Sequence, residues 1–404
     1  MRNVRRRPRV LLVSHYYPPH LGGIENVVRN EALHLARHGA DVTVLTSGDR
    51  AGTHDEDGVR VVRVAASNVV ERRSGVPFPL FSPALLPTAL RWARHADVVH
   101  VHDCLYASSW AAGLAAAVTR TPTVVTQHVG LVAHPSALVR AVQHVVYAVA
   151  GRPQLRRARR VLTLNADVAA FVRKLGARAE ARHHLANGVD TSLFRPPADP
   201  AERAAARARL GLPAGRTLVL FAGRLVPKKG YGLLLDAHAG DAGDSGDSGD
   251  SGNALDTREA HDCAYDLVFA GDGDSAALTG RSGVHHLGAL SAEDLADAYR
   301  ACDIFALPST AEGFPLTVQE AMASGLPVVT TDDPGYAPYG LDRGVALLVP
   351  RTVPALRAAL DALVADPGGR AEMGTAARAF AEASFGWDRH VTALLGHYRD
   401  VGRG

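Results

Sequence analysis

The chain has 404 residues but only three cysteines, Cys104, Cys263 and Cys302, scattered and without a C-x-x-C pair. That scarcity excludes a disulfide framework and a cysteine-bound zinc site, and fits a reducing compartment. Long apolar runs are missing too. The run at 10–13 behind the basic N-terminus is too short for a signal h-region. The stretch 105–118 is interrupted by Ser108, Ser109 and Gly113 and is too short to span a bilayer. The expected location is therefore cytoplasmic. An excess of one charge is also absent. The net charge is +3, which argues against a nucleic-acid binder.

What is present is the composition of a soluble enzyme, 47% hydrophobic and 21% charged, at a length that calls for two domains. The basic residues are uneven. Arg2, Arg5, Arg6, Arg7 and Arg9 form one cluster, and Arg152, Arg156, Arg157, Arg159 and Arg160 another. Solvated surface is the plain reading. A face toward anionic lipid, with a peripheral place at the inner side of the membrane, or toward a phosphorylated acceptor is the sharper one.

The first half alternates strand-like runs (10–13, 42–46, 59–64, 98–101, 124–126, 161–164) with helical ones, such as the face marked by Ile24, Val27, Val28 and Leu35 before Gly39. The second half repeats the plan at 218–222, 267–270, 304–307, 328–331 and 347–349, with a capping-box pattern at Ser291 and Asp294. Such alternation predicts an α/β fold of two doubly wound parallel sheets. The break falls near 187–200, where Asn, Gly, Asp and prolines cluster. The expected domains are 1–190, joined by a tail helix at 387–404, and 191–386, with a disordered Asp-Ser-Gly loop within 240–262. The stretches 67–88 and 130–154 follow no readable pattern, although the segment 138–160 mixes apolar residues with arginines as an interfacial helix or a half-wet core helix would.

Ligands of open parallel sheets sit beyond the carboxyl ends of the strands. Three motifs lie there. Gly22-Gly23 follows the first strand and opens a helix, so backbone amides can approach a phosphate. Gly223-Arg224 with Lys229-Gly230 places two cations after a strand, suited to a leaving diphosphate. Glu312-Gly313-Phe314-Pro315-Leu316-Thr317, ending at Glu320, follows the strand at 304–307 and leads into a helix. Each alone is an ordinary turn or a chance pair.

In order along the chain, these motifs together with Asn187-Gly188-Val189-Asp190 and Gly271-Asp272-Gly273 resemble glycosyltransferase family 4, the retaining enzymes of the GT-B fold with an E-x7-E element. The resemblance implies a nucleotide-sugar donor domain in the second half and an acceptor-side domain in the first. It implies that Arg224 and Lys229 hold the donor diphosphate, that Glu312 contacts the transferred sugar, and that Glu320 binds the ribose. It makes His128 the active-site histidine and Gly22 and Gly23 a mobile donor- or acceptor-facing loop. Gly313, Phe314, Leu316 and Thr317 complete the donor set. One departure is Pro315, where many members carry a second glycine. Proline has no N–H, so the phosphate contact shifts to Leu316.

The reaction so implied moves a hexose-type sugar from a UDP- or GDP-sugar to a hydroxyl of a glycan, lipid-linked or small-molecule acceptor, with no metal or other cofactor. Three other readings compete. A same-fold nucleotide-sugar epimerase would share the donor half. An NAD-dependent dehydrogenase would use 271–276, which fits G-x-G-x-x-A. A metal-dependent hydrolase would use His100 and His102, although no third histidine lies close in sequence. Asp55-Glu56-Asp57 imitates a D-x-D metal motif and reads as a surface loop before a strand.

Overall fold

The computed structural model describes residues 7–20, 22–74, 76, 78–131, 136–239, 263–310 and 314–402. The expected loop at 240–262, the arginines at 2, 5 and 6, and the site candidates Glu312 and Gly313 lie outside the described residues. Met1–Gly188 with Phe385–Gly404 form one compact unit, and Val189–Ser384 a second.

The first unit is built on nine strands: β1 (Arg9–Val13), β2 (Asp41–Gly48), β3 (Gly52–Glu56), β4 (Val59–Ser67), β5 (Leu80–Phe81), β6 (Val98–His102), β7 (Thr123–Gln127), β8 (Arg160–Thr163) and β9 (Arg182–His184). Their order is β3-β4-β2-β1-β6-β7-β8-β9, with β5 on β4. Every pairing from β4 through β9 along that order is parallel. A parallel sheet is covered on both faces, which is why its inner strands read as unbroken Val and Leu. On one face Leu12, Val28 and Leu35 pack with Val391, Leu394 and Tyr398 of the tail helix Trp387–Gly402. On the other, Val101, Ala112, Tyr147, Leu155 and Val172 share a core.

The second unit holds β10 (Thr217–Ala222), β11 (Tyr265–Ala270), β12 (Val284–Gly288), β13 (Ile304–Leu307), β14 (Val328–Thr331) and β15 (Ala346–Val349). All are parallel, in the order β12-β11-β10-β13-β14-β15. This is the doubly wound 3-2-1-4-5-6 arrangement, whose order reverses between β10 and β13. The capping box forms: Ser291 Oγ accepts from the Asp294 amide at 3.1 Å and donates to Asp294 Oδ2 at 2.8 Å.

The sequence reading missed β3. Asp55-Glu56 is no loop: β3 pairs antiparallel with β4 as an exposed edge. It carries no apolar alternation to betray it. Asp57 and Gly58 have φ of 50° and 82°, the left-handed pair that a tight hairpin turn requires. The paired histidines 183–184 and 285–286 sit on the edge strands β9 and β12. The unreadable stretch 130–154 contains the helix Ala137–Val146, continued through 147–151 into the helix Arg152–Arg157.

Candidate active site

In the second unit the loops after β10 and β13 flank the point where strand order reverses, the crevice where ligands of such sheets bind. Gly230, at φ 78°, ends the turn Pro227–Lys229, and a Cβ there would lie 2.1 Å from the Pro308 carbonyl oxygen. No other residue fits so close an approach. The turn is thereby locked to the end of β13, helped by the Thr310 amide donating to Lys228 O at 2.8 Å and by Arg351 donating to Pro308 O and Pro227 O. Lys229 reaches across Gly223: its Nζ lies 4.0 Å from where a Gly223 Cβ would stand. Arg224 is exposed beside it.

The helix Leu316–Ala323 starts on Pro315, whose carbonyl accepts from Val318 and Gln319. Leu316 and Thr317, as first-turn residues, have amides with no acceptor inside the helix. Thr317 Oγ1, and Ser309 Oγ in the loop before it, are buried polar atoms with no hydrogen-bond partner among the described residues. Buried hydroxyls are normally satisfied, so an open pair is what a ligand-binding loop leaves. Phe314 plays a different part: it is buried, stacked on Tyr339 at 4.1 Å and edge-on to Tyr336. It anchors the loop with its ring held in that aromatic cluster. Glu320 is half-buried, and Tyr299 Oη donates to its Oε2 at 3.0 Å and to Thr317 O at 3.0 Å. Burial pushes the carboxyl up to about 7, with the Tyr299 hydrogen bond working the other way.

In the first unit the order reverses between β1 and β6. Gly22 is the N-cap of the helix Gly23–Arg37, which has no side-chain cap. The Glu25 carboxylate folds back over Gly22, 2.1 Å from where a Cβ would be, and contacts His15 and His20. A carboxylate from the protein thus stands where a phosphate was expected. His128 follows β7 and is buried. Burial lowers its pKa to about 4, so it is neutral at pH 7.

His128 is not isolated. Its Nε2 lies 3.1 Å from His102 Nδ1, and His102 Nε2 lies 3.3 Å from Glu31 Oε2. Glu31 also meets His100 at 3.7 Å and His390 at 3.4 Å. Burial alone would raise the Glu31 carboxyl. The facing imidazoles more than offset this and hold it at about 2. Burial drives His100, His102 and His128 toward the neutral form, which Glu31 only partly opposes. An imidazole beside a carboxylate keeps its proton on the near nitrogen. His102 therefore carries N–H toward Glu31 and presents Nδ1 as an acceptor, which places the His128 proton on Nε2.

Two profiles match the chain: Glycosyltransferase Family 4 over residues 21–193 and Glycosyl transferases group 1 over residues 202–380. A D-inositol 3-phosphate glycosyltransferase of Xylanimonas cellulosilytica is 33% identical over 97% of this chain and 97% of its own length. The chain belongs to glycosyltransferase family 4. Among solved structures, it is similar to the sucrose-phosphate synthase of Thermosynechococcus elongatus (TM-score 0.73, 22% identity, 98% of this chain and 99% of that one). It is also similar to Anabaena HepE in complex with UDP (TM-score 0.70, 20% identity, 97% and 100%). The two sheets are those of the GT-B fold.

The rival readings of this glycosyltransferase lose their structural support. The glycines after β11 serve loop packing: a Cβ on Gly271 would lie 2.0 Å from Gly223 O, and only the short 3-10 turn Ala276–Leu278 follows. A dinucleotide fingerprint needs an α-helix there to face the pyrophosphate. The hydrolase reading lacked a third histidine close in sequence to His100 and His102. Folding supplies His128 and His390 from far along the chain, and Glu31, His100 and His102 come within metal-ligand reach. Yet both His100 nitrogens are already hydrogen-bonded, to Tyr398 Oη and Thr126 Oγ1 at 2.7 Å each.

Residues that the sequence reading passed over are Glu25, Glu31 and Tyr299. His102 was noticed only for its neighbour two positions away. A signal existed for Glu31, a carboxylate in the middle of an otherwise apolar helix face.

Proposed function

We propose that this enzyme transfers a hexose-type sugar from a UDP- or GDP-sugar to an acceptor hydroxyl with retention of anomeric configuration and without a metal. The observation that carries the reading is the junction of β10 and β13, where the turn that carries Lys229, after Arg224, is locked against Pro308 and Thr310 in the loop that leads to the Leu316 helix. The two cations take the diphosphate and stabilise its growing charge as the glycosidic bond breaks. The Leu316 and Thr317 amides face its oxygens. Glu320 accepts from the ribose hydroxyls, and Glu312, with Gly313, contacts the transferred sugar. On the acceptor side, His128 touches the sugar, and Gly22 and Gly23 give the loop its close approach.

Arg224 and Lys229 supply the positive charge that a metal brings in other transferases, so a strong chelator is expected to leave the rate unchanged. UDP in the HepE complex favours a uridine donor. The name of the Xylanimonas relative adds a cyclitol phosphate to the glycan, lipid-linked and small-molecule acceptors. The test is a thermal-shift panel of nucleotide sugars on wild type and Glu320→Ala. One donor is expected to stabilise the wild type and to lose that effect in the variant. Equal shifts in both proteins would remove Glu320 from the site. Release of an epimerised sugar nucleotide in the absence of acceptor would overturn transfer itself.

A further inference from the structure

We infer that the Ala137–Arg157 helical run of the first unit docks on an anionic bilayer, beside the acceptor end of the sheet. The proposal goes beyond the donor and acceptor chemistry above; the binding does not depend on it, and only the use given to the contact rests on that reading. Nine large hydrophobic side chains are exposed among the described residues, and all but Leu80 lie between positions 114 and 149. The helix concentrates them. Leu138, Val142, Val145 and Val149 are 73%, 51%, 61% and 71% exposed. Steps of four, three and four place them on one line along a helix. Arg152, Arg156 and Arg157, all exposed, follow directly in the next helix. The opposite side carries the buried Gln143, Tyr147, Gln154 and Leu155. The apolar line is therefore not a core face that happens to be uncovered, because the core face is already occupied.

Charge selects the partner. Between Asp103 and Asp167 the chain has no acidic residue and seven arginines, among them Arg120, Arg140, Arg152, Arg156 and Arg157. An aliphatic line flanked by arginine and free of carboxylate is the pattern of a helix lying in a lipid interface. A second copy of this chain fits poorly, since a two-fold contact would set arginine against arginine. A folded protein partner would be met by aromatic anchors, and this line has none. Arginine stems lie along apolar surface while their heads reach phosphate, which suits a phospholipid headgroup layer.

Position gives the contact a use. Val129 and Leu131, both exposed, directly follow His128 at the carboxyl end of β7. The apolar surface therefore begins next to the acceptor-side histidine, and a bilayer seated on it brings a lipid-linked hydroxyl to that edge of the sheet.

The experiment is co-sedimentation of the full chain with phosphatidylcholine vesicles, with and without phosphatidylglycerol, at low and high salt and with no donor present. The wild type is expected to bind the anionic vesicles at low salt and to be released by high salt. Arg152→Gln with Arg156→Gln and Arg157→Gln is expected to weaken binding roughly a hundredfold, about fivefold per charge. Val142→Glu with Val149→Glu is expected to abolish it. Circular dichroism checks that each variant is folded, and both sets of changes are on exposed side chains. Wild type that stays in the supernatant at low salt, or variants that bind as wild type does, would overturn the proposal. So would a dimer in solution that the valine variants dissociate, since the face would then belong to a second copy. Because the readout is binding without turnover, its failure is separable from failure of the transferase assignment.

Discussion

The two sheets share a winding order, yet Glu31 of the first and Glu320 of the second are driven in opposite directions. In the first unit one carboxylate, Glu31, sits among imidazoles and is held low, at about 2. In the second, Glu320 has a single polar partner among the described residues, Tyr299, and is pushed up to about 7. Both carboxylates project from a helix packed on the sheet. The difference lies in what the facing elements offer: β6 brings two histidines and the tail helix a third, whereas β13 brings only apolar residues. A doubly wound sheet thus provides the crevice, and its facing side chains decide whether a buried acid stays charged. In the second unit Ser309 Oγ and Thr317 Oγ1 have no partner among the described residues and stand open to a ligand.

The largest break of this comparison lies at the cations. Removing Lys229 or Arg224 by alanine substitution is expected to lower kcat/KM about a hundred- to a thousandfold, because charge fixed at the leaving group acts mainly in the transition state. Steady-state rates check this, and a change confined to KM would show that the pair merely binds. His128→Ala on the other unit should cost about a hundredfold. His102→Leu leaves His128 in place and removes its acceptor. The expectation is about a tenfold loss in kcat with a shifted acid limb of the pH profile. A purely structural role would lower stability without moving that limb.

Acidity sets the histidine cluster of the first unit against Glu320 of the second, although Asp103, buried after β6 and raised to about 6, runs with Glu320 and opposes part of the histidine effect. His128 and His100 have folded values near 4 against about 6.5 when unfolded. The unfolded chain then binds more protons between those values, so stability is lost as pH falls from 6.5 toward 4, by about 2 kcal/mol per histidine between pH 6.5 and 5. Glu31 adds a loss as pH falls below its unfolded value of about 4.5. Glu320 runs the other way: raised to about 7, it contributes stability below 4.5 that is lost as pH rises to 7. Hydrogen exchange at pH 5 and pH 7 should show β6 and β7 less protected at the lower pH and the Leu316 helix more protected. The same direction in both units would mean that the burial argument fails for one of them.

Much of this was legible beforehand, for identifiable reasons. The buried parallel strands announce themselves as runs of Val and Leu, and the helix after β13 follows from Pro315 and the apolar positions behind it. The edge strand β3 was hidden because neither of its faces is apolar, although Asp57-Gly58 marked its turn. Phe314 could be found as part of a donor motif, but its burial against Tyr336 and Tyr339 depends on a segment twenty residues away in the chain. The Glu31–His102–His128 line joins a helix to two strands, and no spacing rule in one dimension brings those three together.

The finest test of the contrast concerns the hydrogen bond from Tyr299 to Glu320. If its carboxylate receives the ribose hydroxyls, donor affinity must fall as pH drops below 7, by up to about tenfold per unit, because the proton has to leave first. Tyr299→Phe removes the donor to Glu320 Oε2 and to Thr317 O while keeping the buried ring. Without that bond burial acts unopposed, the carboxyl climbs further, and less of it is ionised at neutral pH. A few-fold loss of donor affinity at pH 7 is expected, with the midpoint of its pH dependence moved upward and little change well above it. Donor titrations across pH read both quantities. A midpoint that stays in place would detach Glu320 from the nucleotide, whereas an upward move with recovery at high pH is the response of a carboxylate that is left uncharged until the ligand needs it.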